Sequence, residues 1–363
     1  MKILLDIGGP KSGERQVAVQ IARSELFAAY LHLASPEARN RTGRYIRRHG
    51  LRGEPGDDAL GPVVPNVPVR RADEPPKLTI AAHLEVMRQK GMLAPAVPAQ
   101  RQTDAAFVEE RVMLAVPISD LAANLLRPCF HRDGLGAHRV FHFIDEPLSK
   151  RNYWCICFFA GDNGSGRLEM RRLRFDAEKD CVWDTQGMDL EEAGVEWAAA
   201  IVPLVTDGRA LSAEEIAIND YDLRQIFGRH ANAAIQYAYE GWYTEWENRV
   251  RHIVTEYKRS GQCFATFYHS ILAMDDNGDI HIRQVEGVLS DLAEALAREG
   301  MVAAGVLDSG GSCALYDVWL ASYLNHSSYF REARGAVLVF ALTSSQRIPS
   351  DTSGTWIERR TEV

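Results

Sequence analysis

The chain has 363 residues, 46% hydrophobic and 25% charged, which is ordinary for a globular protein of one large domain or two modest ones. Its net charge of −8 and pI near 5.8 argue against nucleic acid as the main partner. No apolar run is long enough to span a bilayer, and the apolar stretch within residues 1–9 is too short for a signal-peptide core, so a cytoplasmic address without a membrane partner is expected. Six cysteines (Cys129, Cys155, Cys157, Cys181, Cys263 and Cys313) are scattered without a zinc-ligand pattern and read as buried free thiols.

Residues 1–34 read as a strand, a Gly-Pro turn and a helix capped by Ser12, with Val17, Ile21, Ala28 and Leu31 near one face. Asp6-Ile7-Gly8-Gly9 is taken as a turn, because no phosphate-loop ending of Gly-Lys-Ser/Thr follows. Residues 36–77 form an irregular arm or linker. It carries Arg39, Arg41, Arg44, Arg47, Arg48 and Arg52, and then Pro62, Pro65, Pro68, Pro75 and Pro76. Such an arginine run is more often a solvated face or a subunit contact than a nucleic-acid grip. Residues 78–92 read as a helix stopped by Gly91 and the prolines beyond it.

From Phe107 the composition is that of a dense α/β or α+β core, with Val112 to Val116 as a buried strand. His131, Asp133, His138 and His142 are the metal candidates, since His138 and His142 are four apart and a third donor would make a zinc set. Tyr153 to Ala160 reads as a fully buried strand, residues 161–166 as a turn, and Leu168 to Phe175 as an alternating strand. Ile201 to Val205 leads as a strand into a tight Asp207-Gly208 turn. A helical insertion follows near 210–262, opened by a Ser212–Glu215 capping box and rich in aromatics from Tyr237 to Tyr257. Those aromatics suit packing better than ring stacking on a ligand. Asp275-Asp276-Asn277-Gly278-Asp279 is a hairpin signal, and residues 289–300 read as a helix with Ser290 as N-cap and Gly300 at its end. Gly305 to Tyr316 then runs strand, Ser-Gly-Gly-Ser turn, strand. Its glycines and Ser309 and Ser312 can cradle an anionic oxygen beside Asp308.

That order, with those residues, resembles the phosphodiester glycosidase family, whose best-known members remove N-acetylglucosamine from a phosphodiester. The family's Leu-Asp-Gly-Gly-Gly-Ser run corresponds here to Leu307-Asp308-Ser309-Gly310-Gly311-Ser312, with Ser309 in place of the first glycine. Pro203-Leu204-Val205-Thr206-Asp207-Gly208, Val285-Glu286-Gly287 and Arg331 ahead of Gly335 to Val339 fall in family order. The family's Arg-Thr before the hairpin is replaced by His269-Ser270. Familiar members are secreted or lumenal, so a cytoplasmic chain departs from them.

The resemblance implies an α+β fold, a mixed or antiparallel sheet core with packed helices. An N-terminal accessory region (1–106) would precede a catalytic domain (107–345), and a polar tail (346–363) would follow. It also implies hydrolysis between a sugar and a phosphate, on a sugar-1-phosphodiester or a nucleotide-sugar. Asp308 and Glu286 would act as the carboxylates, and His269 as a titrating acid or phosphate contact. Arg331, Ser270, Ser309, Gly310, Gly311 and Ser312 would hold the phosphate. No resident cofactor is expected, and self-association as a homo-oligomer is left open. Two rivals stand beside this reading. One is a non-catalytic module that binds a sugar phosphate or nucleotide. The other is a divalent-metal hydrolase on His131, His138 and His142.

Overall fold

The computed structural model describes residues 2–5, 16–33, 78–93, 113–118, 129–132, 138–141, 152–160, 166–176, 181–219, 266–310, 313–318, 321–327, 333–334, 336–342 and 357–358. The elements in chain order are β1 (Lys2–Leu5), β2 (Val17–Ile21), β3 (Leu26–Leu33), β4 (Leu78–Thr79), α1 (Ile80–Gln89), β5 (Met113–Ile118), β6 (Cys129–Arg132), β7 (His138–Phe141) and β8 (Asn152–Phe159). Next come β9 (Arg167–Asp176), β10 (Cys181–Asp184), β11 (Val195–Ala200), β12 (Val202–Thr206), β13 (Arg209–Ala210) and α2 (Ala213–Asn219). The last are β14 (Phe267–Asp275), β15 (Ile280–Gly287), α3 (Leu289–Arg298), β16 (Met301–Ser309), β17 (Ala314–Asp317), β18 (Ser322–His326), β19 (Ala333–Arg334), β20 (Ala336–Leu342) and β21 (Ile357–Glu358).

The protein is mostly β, which corrects the α+β expectation. Sheets of eight strands (β13-β12-β16-β14-β15-β2-β1-β21), six (β10-β9-β8-β11-β6-β7) and five (β18-β17-β5-β20-β3) carry the fold, with a small β19-β4 ladder. Every pairing among the described residues is antiparallel. The described α-helices are three short ones, of 10, 7 and 10 residues. The sharpest departure lies in residues 16–33. Instead of a helix they make β2, a 3-10 turn at Arg23–Glu25, and β3. Val17, Val19 and Ile21 alternate along β2 and are buried, and β-branched residues suit that pleated surface better than a helix. β2 pairs with β15 and β3 with β20, so these early strands extend the same sheets as the residues after 107.

One core joins the three sheets. The Trp197 indole of β11 donates to the Ala29 carbonyl of β3 at 2.8 Å, and its ring stacks on Phe158 with centroids 6.0 Å apart. All seven residues of β20 are buried, because both faces of the five-stranded sheet are covered. Leu338 and Phe340 belong to the main core, while Val337 and Val339 pack with Ile80, Leu84 and Met87 of α1. α1 is capped by Thr79, whose hydroxyl accepts from the Ala82 N–H at 3.1 Å, and it ends at Gly91, where φ is +70°.

α3 lays Leu289, Ala293 and Leu296 on the eight-stranded sheet. Its N-cap is Val288 and not Ser290, with no side-chain cap, and Gly300 closes the far end at φ +87°. The Asp207-Gly208 turn has φ +51° and +73°, the geometry of a two-residue hairpin loop, and it joins β12 to β13. Among the described residues no helix is long and apolar enough to cross a membrane.

Candidate functional site

The site is built on the centre of the eight-stranded sheet, where β14 lies between β15 and β16. Register decides which side chains meet. Gln284, Ser270 and Asp308 form one row across the three strands, and Glu286 stands beside Tyr268 on the same face. Val285, His269 and Ser309 form the adjacent row and point to the other face. A bulge in β16 sets this arrangement. Ser270 pairs with Asp308 but Ile271 pairs with Val306, so Leu307 is the extra residue. In an unbulged ladder Asp308 would stand opposite His269, and the extra residue moves it onto the face of Ser270 and Glu286.

The Asp308 face is closed by the five-stranded sheet. Asn325 of β18 donates through Nδ2 to the Gln284 Oε1 at 3.0 Å and to the Tyr268 hydroxyl at 2.5 Å. Gln284 in turn donates through Nε2 to the Ser270 Oγ at 3.2 Å. Ser270 and Gln284 are fully buried, and Tyr268 and Asn325 are only 5% exposed. Asp308 is 4% exposed, and its Oδ1 accepts the Ser309 N–H at 2.8 Å. The Cys313 thiol reaches the Tyr268 carbonyl at 3.5 Å, tying the start of β17 to β14. Glu286 is half-buried. It lies two strands and two residues from Asp308, ~12 Å between Cα atoms by the ordinary sheet spacings.

On the other face His269 is fully buried and joins two partners. Its Nε2 lies 3.2 Å from the Gly287 carbonyl and its Nδ1 lies 2.7 Å from the Ser309 Oγ. A carbonyl oxygen only accepts, so Nε2 carries the proton, Nδ1 is the acceptor, and the Ser309 hydroxyl donates. Burial pushes the His269 pKa down to about 4, against a smaller upward pull from the Gly287 carbonyl. The ring is therefore neutral at pH 7 and serves there as a proton acceptor.

The structure thus brings Asp308, Glu286 and Ser270 to one face and sets His269 and Ser309 on the other. Gly310 follows at φ +74°, where only a glycine turns without strain, and its carbonyl accepts the Cys313 N–H at 3.2 Å. Gly311, Ser312 and Arg331 lie outside the described residues, as do Asp133, His142, the Arg39 to Arg52 run and the aromatic stretch from Tyr237 to Tyr257. His131 and His138 belong to the β6–β7 ladder, where His131 pairs with Arg139 and His138 with Arg132. Among the described residues no group of three or more His, Cys, Asp or Glu is placed to hold a metal.

Cys129, Cys155, Cys157 and Cys313 are buried free thiols and Cys181 is a half-buried one. Burial pushes the Cys155 and Cys157 thiols up, so neither offers a thiolate at neutral pH.

Sequence reasoning missed Tyr268, Gln284 and Asn325. The signal for Gln284 was present: it follows Ile280 and Ile282 at period two, and both isoleucines are buried. A polar residue on the apolar parity of a strand is the informative kind of exception.

No family model matches the chain, and no curated protein does. Among solved structures it is similar to the catalytic domain of zebrafish N-acetylglucosamine-1-phosphodiester alpha-N-acetylglucosaminidase, auto-inhibited by its pro-peptide. That match has 13% identity and a TM-score of 0.29, and covers 63% of this chain and 72% of that one. It is also similar to a hypothetical protein from Synechocystis, with 13% identity and a TM-score of 0.36, covering 93% of this chain and 61% of that one. A Burkholderia pseudomallei protein described as exported matches at 14% identity and a TM-score of 0.37, covering 90% of this chain and 73% of that one.

Proposed function

We propose that the chain hydrolyses the bond between a sugar and a phosphate, with Asp308 and Glu286 as the working carboxylates. The observation that carries the reading is the β16 bulge. It sets Asp308 on the face of Glu286, at the rim of a buried set of amides and hydroxyls. The leaving phosphate is a weak base and needs little protonation. The demanding part is the cationic sugar carbon, which two carboxylates can stabilise while one of them directs water or attacks it. The amide–hydroxyl network holds the floor of the site rigid, so that the carboxylates need not reorganise. Arg331, Gly311 and Ser312 keep the phosphate-holding roles that the resemblance gives them.

Turnover of a panel of sugar-1-phosphodiesters and nucleotide-sugars tests the proposal. Asp308→Asn and Glu286→Gln should each lower kcat/KM by ~100-fold or more with folding intact. Undiminished hydrolysis in both variants would remove the carboxylates from the mechanism. The deep burial of Asp308 favours a second reading, a non-catalytic module that holds a sugar phosphate. Binding of such compounds with no turnover across the panel would establish that reading.

A further inference from the structure

Two of the places where the chain departs from the phosphodiester glycosidase pattern, His269 for arginine and Ser309 for glycine, touch each other. They are direct partners in the β14–β16 ladder, and their side chains lie 2.7 Å apart. We propose that Ser309 is a nucleophile activated by His269, with carboxylic esters as its substrate class. This is an acyl-transfer chemistry separate from the glycosidic reading.

The arrangement has the three parts that such chemistry needs: a hydroxyl, a base within hydrogen-bond reach, and a third group that orients the base. Ser309 Oγ–H points its proton at the Nδ1 lone pair. The Gly287 carbonyl holds the ring through Nε2–H and fixes the tautomer in which Nδ1 can accept. His269 is fully buried, and Ser309 is half-buried. Gly310 turns the chain directly after Ser309, at φ +74°, so Ser309 is the last residue of β16 and of its ladder with β14.

In the step itself the Ser309 oxygen bonds to the ester carbonyl carbon and its proton passes to Nδ1. The bond to the departing alcohol then breaks, and that alkoxide takes the proton from Nδ1. Water repeats the sequence on the acyl-serine and releases the acid.

A fluorophosphonate probe tests this without any sugar phosphate, so its outcome is independent of the glycosidic reading. The probe forms an Oγ–P bond, loses fluoride, and sends the hydroxyl proton to Nδ1. The full-length protein should carry one adduct, mapped by peptide mass to Ser309 and absent in Ser309→Ala. His269→Gln should slow labelling by ~100-fold, the usual contribution of a general base. Between pH 6 and 8 the wild-type rate should stay flat, because the ring is neutral across that range. No adduct on Ser309 in folded protein, an unchanged rate in His269→Gln, or a rate that climbs tenfold per pH unit would each overturn the proposal. The pH profile of the wild type decides the matter where His269→Gln does not fold.

Discussion

Asn325 illustrates how much one buried amide can hold. Its Nδ2 serves both the Gln284 carbonyl oxygen and the Tyr268 hydroxyl, and Gln284 passes the connection on to Ser270. Replacing Asn325 by alanine removes a donor from two groups that water does not reach. The expected cost is ~2–3 kcal/mol, more than a typical surface change, because buried acceptors lose their partner outright. Urea unfolding of Asn325→Ala against wild type measures it, and a loss under ~0.5 kcal/mol would mean that the network rearranges to compensate. At this scale the sequence was half legible. Asp308 and Glu286 stood out as carboxylates that end predicted strands and fall in the resembled family's order, and His269 because it stands where that family has an arginine. Their division between two faces did not, because it depends on a bulge that no local residue pattern announces. Asn325 was invisible for another reason: its partners lie 41 and 57 residues away in the chain.

Among the elements, the junction of β11, β12 and β16 shows how a glycine sets strand packing. Ile201 separates β11 in one sheet from β12 in another and is fully buried. A Cβ on Gly305 would come within 2.2 Å of the Ile201 Cδ1 and 3.1 Å of the Val202 carbonyl oxygen. Ile201 has no exposed side to swing toward, so Gly305→Ala should destabilise by ~1–3 kcal/mol through overpacking. Thermal unfolding checks this, and Gly305→Ala combined with Ile201→Val should recover part of the loss if the contact is the cause. Elements with strong local signals were legible. The Ser212–Glu215 capping box forms, with the Glu215 N–H donating to Ser212 Oγ at 3.3 Å and the Ser212 N–H to Glu215 Oε2 at 2.9 Å. The Asp275 to Asp279 turn forms too, with the Asp275 carboxylate accepting the Asn277 and Asp279 N–H groups. The helix expected within residues 1–34 failed over residues 16–33, because alanine, leucine and charged residues there suit a helix locally while β15 and β20 supply partners from far along the chain.

For the whole molecule, the position of His269 makes it a sensor of global unfolding. It lies on β14, which is paired on both sides within the eight-stranded sheet, and it contacts the segment that leads into α3. A proton added there disturbs the centre of the fold and not a fraying edge. In the unfolded chain the ring titrates near 6.5, and in the folded protein burial holds it at about 4. Between those values the unfolded state binds the proton and the native state does not, so stability rises with pH. The contribution is complete above pH ~7.5, begins to fall as pH drops through 6.5, and is lost by about pH 4. The whole effect is on the order of 3 kcal/mol. Glu169 and Glu215 are held below the usual carboxylate range by their arginine partners, so their losses come at still lower pH. Urea midpoints at pH 7.5, 6.5 and 5.5 should therefore decline in the wild type. In His269→Gln the decline should be shallower, whatever the absolute stability of the variant. Parallel slopes in the two proteins would show that the buried ring takes up its proton without opening the sheet.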